Sequence, residues 1–183
     1  MNILHIDSSI TGEASASRTI TRAIVERLSA SQPESAVVHR DLVSEPLEHL
    51  TLAAMANTAV LEEFLAAETI VIGAPMYNFS LPSQLKAWLD RILIAGRTFR
   101  YAAEGPEGLA GGRRAIVALS RGGFYGAGAP AAGLEHVESY LRGVFGFIGI
   151  EPEFVLAEGV NIGPDERHAA IAQAIDEVER LAA

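Results

Sequence analysis

Three short segments carry residue types able to hold a phosphorylated, flat ring. The first, 8–17 (SSITGEASAS), is dense in hydroxyls and runs straight into an amphipathic helical pattern. A helix N-terminus offers unpaired N–H groups and the positive end of the helix dipole, which together make a ready site for an anion. Ser9, Ser15 and Ser17 are the candidate hydroxyl donors, beside the backbone amides of Ser15, Ala16 and Ser17. In the competing reading Ser17 caps the helix and the other serines form a polar turn.

The second segment, APMYNFSLPSQLK from Ala74, sets Met76, Tyr77, Asn78 and Phe79 in a row at the end of an apolar run, bracketed by Pro75 and Pro82. Large apolar groups at a sheet edge suit a planar ring lying on the loop, with Asn78 and main-chain groups reading its polar rim. The alternative makes Met76 and Phe79 lids on the core. The third, Ser120-Arg121-Gly122-Gly123, lets backbone approach a ligand closely, because successive glycines carry no Cβ. Amides there could favour a ring that becomes negative on reduction. An ordinary glycine-rich turn is the rival explanation.

Other chemistries find less support. No G-K-[ST] triplet occurs, so a triphosphate loop loses its lysine and its Mg²⁺ ligand. Gly126, Gly128 and Ala131 fit a dinucleotide spacing by chance, with Pro130 inside it. A phosphoacceptor domain needs an acidic pair where Asp7 stands alone, and an Asp where the third strand ends in Ala74-Pro75. The chain has no cysteine, which removes disulfides, thiolate metal sites and cysteine nucleophiles, so redox chemistry must come from a borrowed group. No metal-ligand spacing is picked out, and no side chain is a convincing general acid. With 14 basic and 23 acidic residues, the net charge of −9 argues against nucleic acid, which needs a clustered basic face. No apolar run is long enough to span a bilayer, and a cytoplasmic location is expected.

The elements that must position these segments follow from the apolar pattern. Runs at 2–7, 69–74, 114–119 and 153–157 read as buried strands, and 36–41 reads as a more polar edge strand. Continuous rather than alternating apolar runs mark strands covered on both faces, as in a parallel sheet. Ile20, Ile24 and Leu28 form one helical stripe; Leu81 to Leu93 form a wider one, with Lys86, Asp90 and Arg91 on the opposite face. Further helices are expected over 134–147 and from Pro164 through Leu181. At 183 residues one domain, 1–183, is the expectation. Right-handed crossovers then predict a three-layer, doubly wound α/β sandwich with five parallel strands in the order 2-1-3-4-5. The three loops fall beyond the carboxyl ends of strands one, three and four, where such sheets bind ligands.

The segments SSI, IVIGAPMYNFSLPSQLKAWLD, GRTFRY, GPEGL, SRGG, GFIGI and AEG together resemble the FMN-dependent NADH:quinone oxidoreductase and azoreductase family, over nearly the whole chain. The resemblance implies a flavodoxin-like fold and a homodimer with one FMN per subunit near the interface. It also implies ping-pong transfer from NADH or NADPH to a small quinone or azo acceptor. It places FMN against Ser9, Ser15 to Ser17, Met76 to Phe79 and Ser120 to Gly123, and it puts Tyr101 and Phe147 over the partner's flavin. Two stretches depart from the family pattern: 42–68 is shorter than is common, and 124–133 is longer. A flavodoxin-type carrier of single electrons is the alternative function, and a metabolite-binding protein without turnover is a third.

Overall fold

Residues 1–181 are described by a computed structural model. In chain order the elements are β1 (Asn2–Asp7), α1 (Ala16–Ser31), β2 (Ala36–Asp41), α2 (Leu52–Met55), α3 (Ala59–Ala66), β3 (Thr69–Pro75), α4 (Ser83–Ile92), β4 (Phe99–Ala102), β5 (Gly105–Gly108), β6 (Arg114–Arg121), α5 (Glu138–Phe147), β7 (Pro152–Glu158) and α6 (Pro164–Val178). Five strands form one sheet in the order β2-β1-β3-β6-β7, every neighbouring pair parallel. Strands β4 and β5 form a separate antiparallel hairpin. With the hairpin set aside, the order of the parallel strands is the expected 2-1-3-4-5.

The apolar runs explain the layers, because successive strand residues point to opposite faces. Ile3, Val71, Ile116, Ala118 and Val155 pack with Ile20, Ile24 and Leu28 of α1 and with Ala174 and Val178 of α6. Their neighbours Leu4, Ile70, Ile72, Val117 and Leu119 pack with Phe64 of α3, Trp88 of α4 and Phe145 of α5. Both faces are therefore covered by helices. The edge strand β2 is exposed along most of its length, in keeping with its polar composition.

Four details differ from expectation. The helix expected from Leu134 begins at Glu138, because the Glu135 carboxylate turns back to accept from the amides of Val137 and Glu138, both at 2.9 Å. Burial raises the pKa of Glu135, but these backbone bonds outweigh it and hold the carboxyl below its ordinary range. Arg91, expected on the solvent face of α4, is buried and donates to the carbonyls of Ala54 (2.7 Å) and Glu48 (2.9 Å), tying down the 42–58 connection. The 42–68 stretch contributes α2 and α3, which the apolar pattern did not mark. The hairpin β4–β5 also went unmarked, since FRYA and GPEG lack alternation. It is held by a glycine contact: a Cβ on Gly108 would stand 2.3 Å from the backbone of Gly149 and Ile148. Among the described residues no helix is long and apolar enough to cross a membrane.

Candidate functional site

The first loop makes a 3-10 turn over Gly12–Ala14 and then enters α1. Ser15, not Ser17, is the cap: its Oγ accepts from the Arg18 amide at 3.2 Å. Ser17 lies fully buried in the first turn, its hydroxyl 3.0 Å from that of Ser15. The Ser15 amide donates to the Gly12 carbonyl at 3.1 Å. The amides of Ala16 and Ser17 have no partner within the chain among the described residues. They lead a 16-residue helix, so their N–H groups carry the positive end of its dipole. Arg167, at the start of α6, reaches the same turn by donating to the Ala14 carbonyl.

The second loop is a tight turn. Tyr77 and Ser80 exchange backbone bonds at 2.9 and 3.1 Å, and Asn78 and Phe79 between them both have positive φ, 48° and 69°. For a bulky residue such as Phe79 that conformation is strained, costing on the order of 1–3 kcal/mol. Phe79→Gly is therefore expected to raise unfolding stability by about 1 kcal/mol in urea titration while loosening the loop. A stability loss would show that the Phe79 ring, set edge-on to Tyr125 at 6.3 Å, outweighs the strain. The Tyr77 hydroxyl lies 3.0 Å from Ser9 Oγ and accepts from the Ile10 amide at 3.2 Å, which fixes the second loop to the first. Met76 donates to the Ser120 carbonyl at 2.8 Å and fixes it to the third.

In the third loop the structure separates backbone from side chain. The Arg121 side chain turns inward, 1% exposed, onto Glu158 (3.0 Å), Glu138 (2.8 Å) and Glu135 (3.3 Å). Burial works against its charge, yet the bonds to Glu158 and Glu138 raise its pKa above the usual guanidinium value. Glu158 also accepts from the Tyr125 amide at 2.8 Å. Arg121 thus anchors the loop. Gly122 is pressed against the segment after β7, where a Cβ would stand 2.8 Å from Asn161 Nδ2. The amides of Gly122 and Gly123 are unpaired within the chain among the described residues.

These loops enclose a cavity of about 330 Å³ at the carboxyl ends of β1, β3 and β6. Ser9, Ser15, Ala16, Met76, Tyr77, Ser120 and Gly122 line it. Asn78 lines an adjoining opening that shares Met76, Tyr77 and Asn161 with the first. Ser17, Phe79, Arg121 and Gly123 are not among the lining residues of either. Thr11, Ala14, Pro75, Val160, Asn161 and Arg167 line the cavity without having been expected. The last three were discoverable in principle, because β7 neighbours β6 and its following loop opens on the same edge. Tyr101 and Phe147 lie elsewhere: Tyr101 is 77% exposed on the hairpin, and the two are joined through Phe99, 5.6 Å from one ring and 4.7 Å from the other. Phe147 borders an apolar groove with Leu93, Tyr140 and Val144.

One end of the cavity therefore offers amides, a hydroxyl and a guanidinium to an anion, and the other offers an apolar shelf with unpaired amides at its rim. That division of polarity fits a phosphorylated flavin. A family model described as the flavodoxin-like fold matches residues 1–182. The chain is 55% identical to FMN-dependent NADH:quinone oxidoreductase 2 of Bradyrhizobium diazoefficiens, with 100% of both chains covered. It is 56% identical to an FMN-dependent NADH:quinone oxidoreductase of Sinorhizobium fredii, over 95% of this chain and 93% of the relative. Among solved structures, an azoreductase from Bacillus anthracis superposes with a TM-score of 0.90 at 28% identity, over 98% of this chain and 97% of the other. An FMN-dependent NADH-azoreductase from Bacillus anthracis, in complex with FMN, superposes with a TM-score of 0.84 at 26% identity, covering 98% and 96%.

Proposed function

The chain belongs to the flavodoxin-like family of FMN-dependent NADH:quinone oxidoreductases and azoreductases, and from that premise we propose that it binds FMN in this cavity and uses it to reduce quinones and aromatic azo compounds with NAD(P)H. The observation that carries the reading is the convergence of the first three loops on one cavity, polar at the α1 N-terminus and apolar at Met76 and Tyr77. FMN, when bound, would supply the two-electron redox chemistry that links nicotinamide to acceptor.

The chain's own residues place and protect the group. Ser15, the amide of Ala16 and Arg167 hold the phosphate, with Ser9 alongside and the buried Ser17 hydroxyl bracing Ser15 from behind. Met76, Tyr77 and Asn78 carry the ring, and Phe79 shapes their turn. Ser120 and Gly122 bring backbone to the ring's rim, where the free N–H of Gly122 favours negative charge, and Gly123 lets the loop turn behind it. Arg121 positions that segment rather than touching the ligand. The whole chain, 1–183, acts as one FMN-binding domain in the cytoplasm, where the nicotinamide donors are found.

The proposal includes a homodimer. Tyr101, exposed on its hairpin, and Phe147, beside the groove of Leu93, Tyr140 and Val144, do not line their own cavity and are available to a partner's. Purified protein is expected to be yellow, to lose its visible absorption on anaerobic addition of NADH, and to run as a dimer by light scattering. Initial rates with NADH and a quinone are expected to give parallel double-reciprocal lines, because both substrates use one place in turn. Intersecting lines would show that both are bound together and would overturn the shared site. Failure of NADH to bleach the flavin would instead favour the electron carrier.

A further inference from the structure

Beneath the first loop, outside the cavity, β1 and β2 bring together two imidazoles and a carboxylate. The parallel register sets His5 directly opposite His39, and Asp7, two residues along β1, shares the face of His5. His39 Nε2 stands 3.0 Å and His5 Nε2 3.3 Å from the same atom, Asp7 Oδ2, and all three donor atoms lie within 4.8 Å of one another. Two ligands on one ion with bonds of about 2.0–2.2 Å stand about 3.0–3.5 Å apart. The half-exposed His39 ring, on an edge strand, is free to close the remaining gap.

Two further features single this cluster out. His5 Nε2 is fully buried and makes no hydrogen bond, meeting Asp7 Oδ2 only as a contact at 3.3 Å. The charge is also incomplete. Arg18 approaches Asp7 Oδ2 at 3.6 Å, but its guanidinium is taken up by Asp41 at 2.7 Å and by the Ser9 carbonyl at 3.0 Å. One guanidinium, with Nη1 toward Asp7 and Nη2 on Asp41, is thus shared between two carboxylates, which leaves a net negative charge for a cation.

We propose that His5, Asp7 and His39 form a binding site for a divalent transition metal ion of the Zn²⁺ class, which ties the edge strand β2 to β1 at the base of the first loop. Two imidazoles and one carboxylate suit Zn²⁺, Co²⁺, Ni²⁺ or Cu²⁺ rather than Mg²⁺ or Ca²⁺, which demand mostly oxygen ligands. Gly73 leaves the carboxylate its room: a Cβ there would stand 2.9 Å from Asp7 Oδ1. Thr21 holds that same oxygen at 3.0 Å and thereby aims Oδ2 at the histidines. The ion's role is structural, and flavin turnover does not depend on it.

The test uses untagged, FMN-loaded protein freed of metal by chelation, titrated with Zn²⁺ by calorimetry at pH 7.5. One equivalent per chain is expected to bind with micromolar affinity and to raise the melting temperature. His39→Ala is expected to weaken binding at least about tenfold and to remove the thermal shift, with flavin content and metal-free turnover unchanged. Titration of the unaltered protein with Co²⁺ is expected to give visible bands of nitrogen and oxygen ligation, a readout that needs no variant. Absence of saturable Zn²⁺ binding, or of the Co²⁺ bands, overturns the site and leaves a hydrogen-bonded cluster. Zn²⁺ binding that is indifferent to His39→Ala places the ion on the other histidines and overturns it equally.

Discussion

Arg121→Met is expected to lower folding stability by about 3–5 kcal/mol, the largest effect of any single substitution considered for this chain. The physical reason is an imbalance of buried charge. Arg121 is 1% exposed and stands within 3.3 Å of Glu135, Glu138 and Glu158, themselves 11%, 26% and 23% exposed. Removing one partner of a buried ionic cluster costs far more than the cluster contributes, because the carboxylates left behind have been desolvated without compensation. Arg142 bonds Glu138 at 2.9 Å and softens the loss at one of the three only. Arg121→Lys keeps the charge, but one ammonium cannot span three carboxylates as a planar guanidinium does, so it is expected to fall between the two. Function follows stability here, because Glu158 also holds the Tyr125 amide and the 120–125 backbone hangs from this cluster. Urea unfolding, read beside FMN affinity by fluorescence quenching, measures both. A loss below about 1 kcal/mol for Arg121→Met would mean that the carboxylates reach water or protons readily, and would remove the anchoring role.

Riboflavin is expected to bind about a thousandfold more weakly than FMN. The net charge of −9 repels a dianion at long range, so affinity for the phosphate has to come from local donors. Those lining the cavity are the free amide of Ala16, the Ser15 hydroxyl and the Arg167 guanidinium. Hydrogen bonds to a charged group contribute about 1.5–3 kcal/mol each, and two or three of them give a factor of roughly 10² to 10⁴ at about 1.4 kcal/mol per decade. Arg167→Ala is expected to weaken FMN about tenfold or more while leaving riboflavin unchanged, which assigns its effect to the phosphate rather than to folding. Equal affinity of the two flavins, within about threefold, would show that the α1 terminus does not receive the phosphate. The proposed orientation of the ligand would then fall.

How much of this was legible in advance depends on how far apart in the chain the cooperating groups lie. The continuous apolar runs at 69–74 and 114–119 declared buried parallel strands, and the hydroxyl-rich start of α1 declared a helix N-terminus, because burial and capping leave their mark within a few neighbouring residues. From these, the α/β class, the strand order and three of the loops around the cavity follow. The inward turn of Arg121 does not, since its partners lie at 135, 138 and 158, and only the pairing of β6 with β7 and the docking of α5 bring them near. The same holds for Asn161 and Arg167, delivered to the cavity by the outer strand and the last helix, and for Gly108, whose missing Cβ matters only because Gly149 lies against it. His5 and His39 meet through the register of β1 and β2. Periodicity and capping are local and can be read along the chain; register, crossover and the direction of a buried side chain are settled by packing between distant segments, and those only the folded molecule decides.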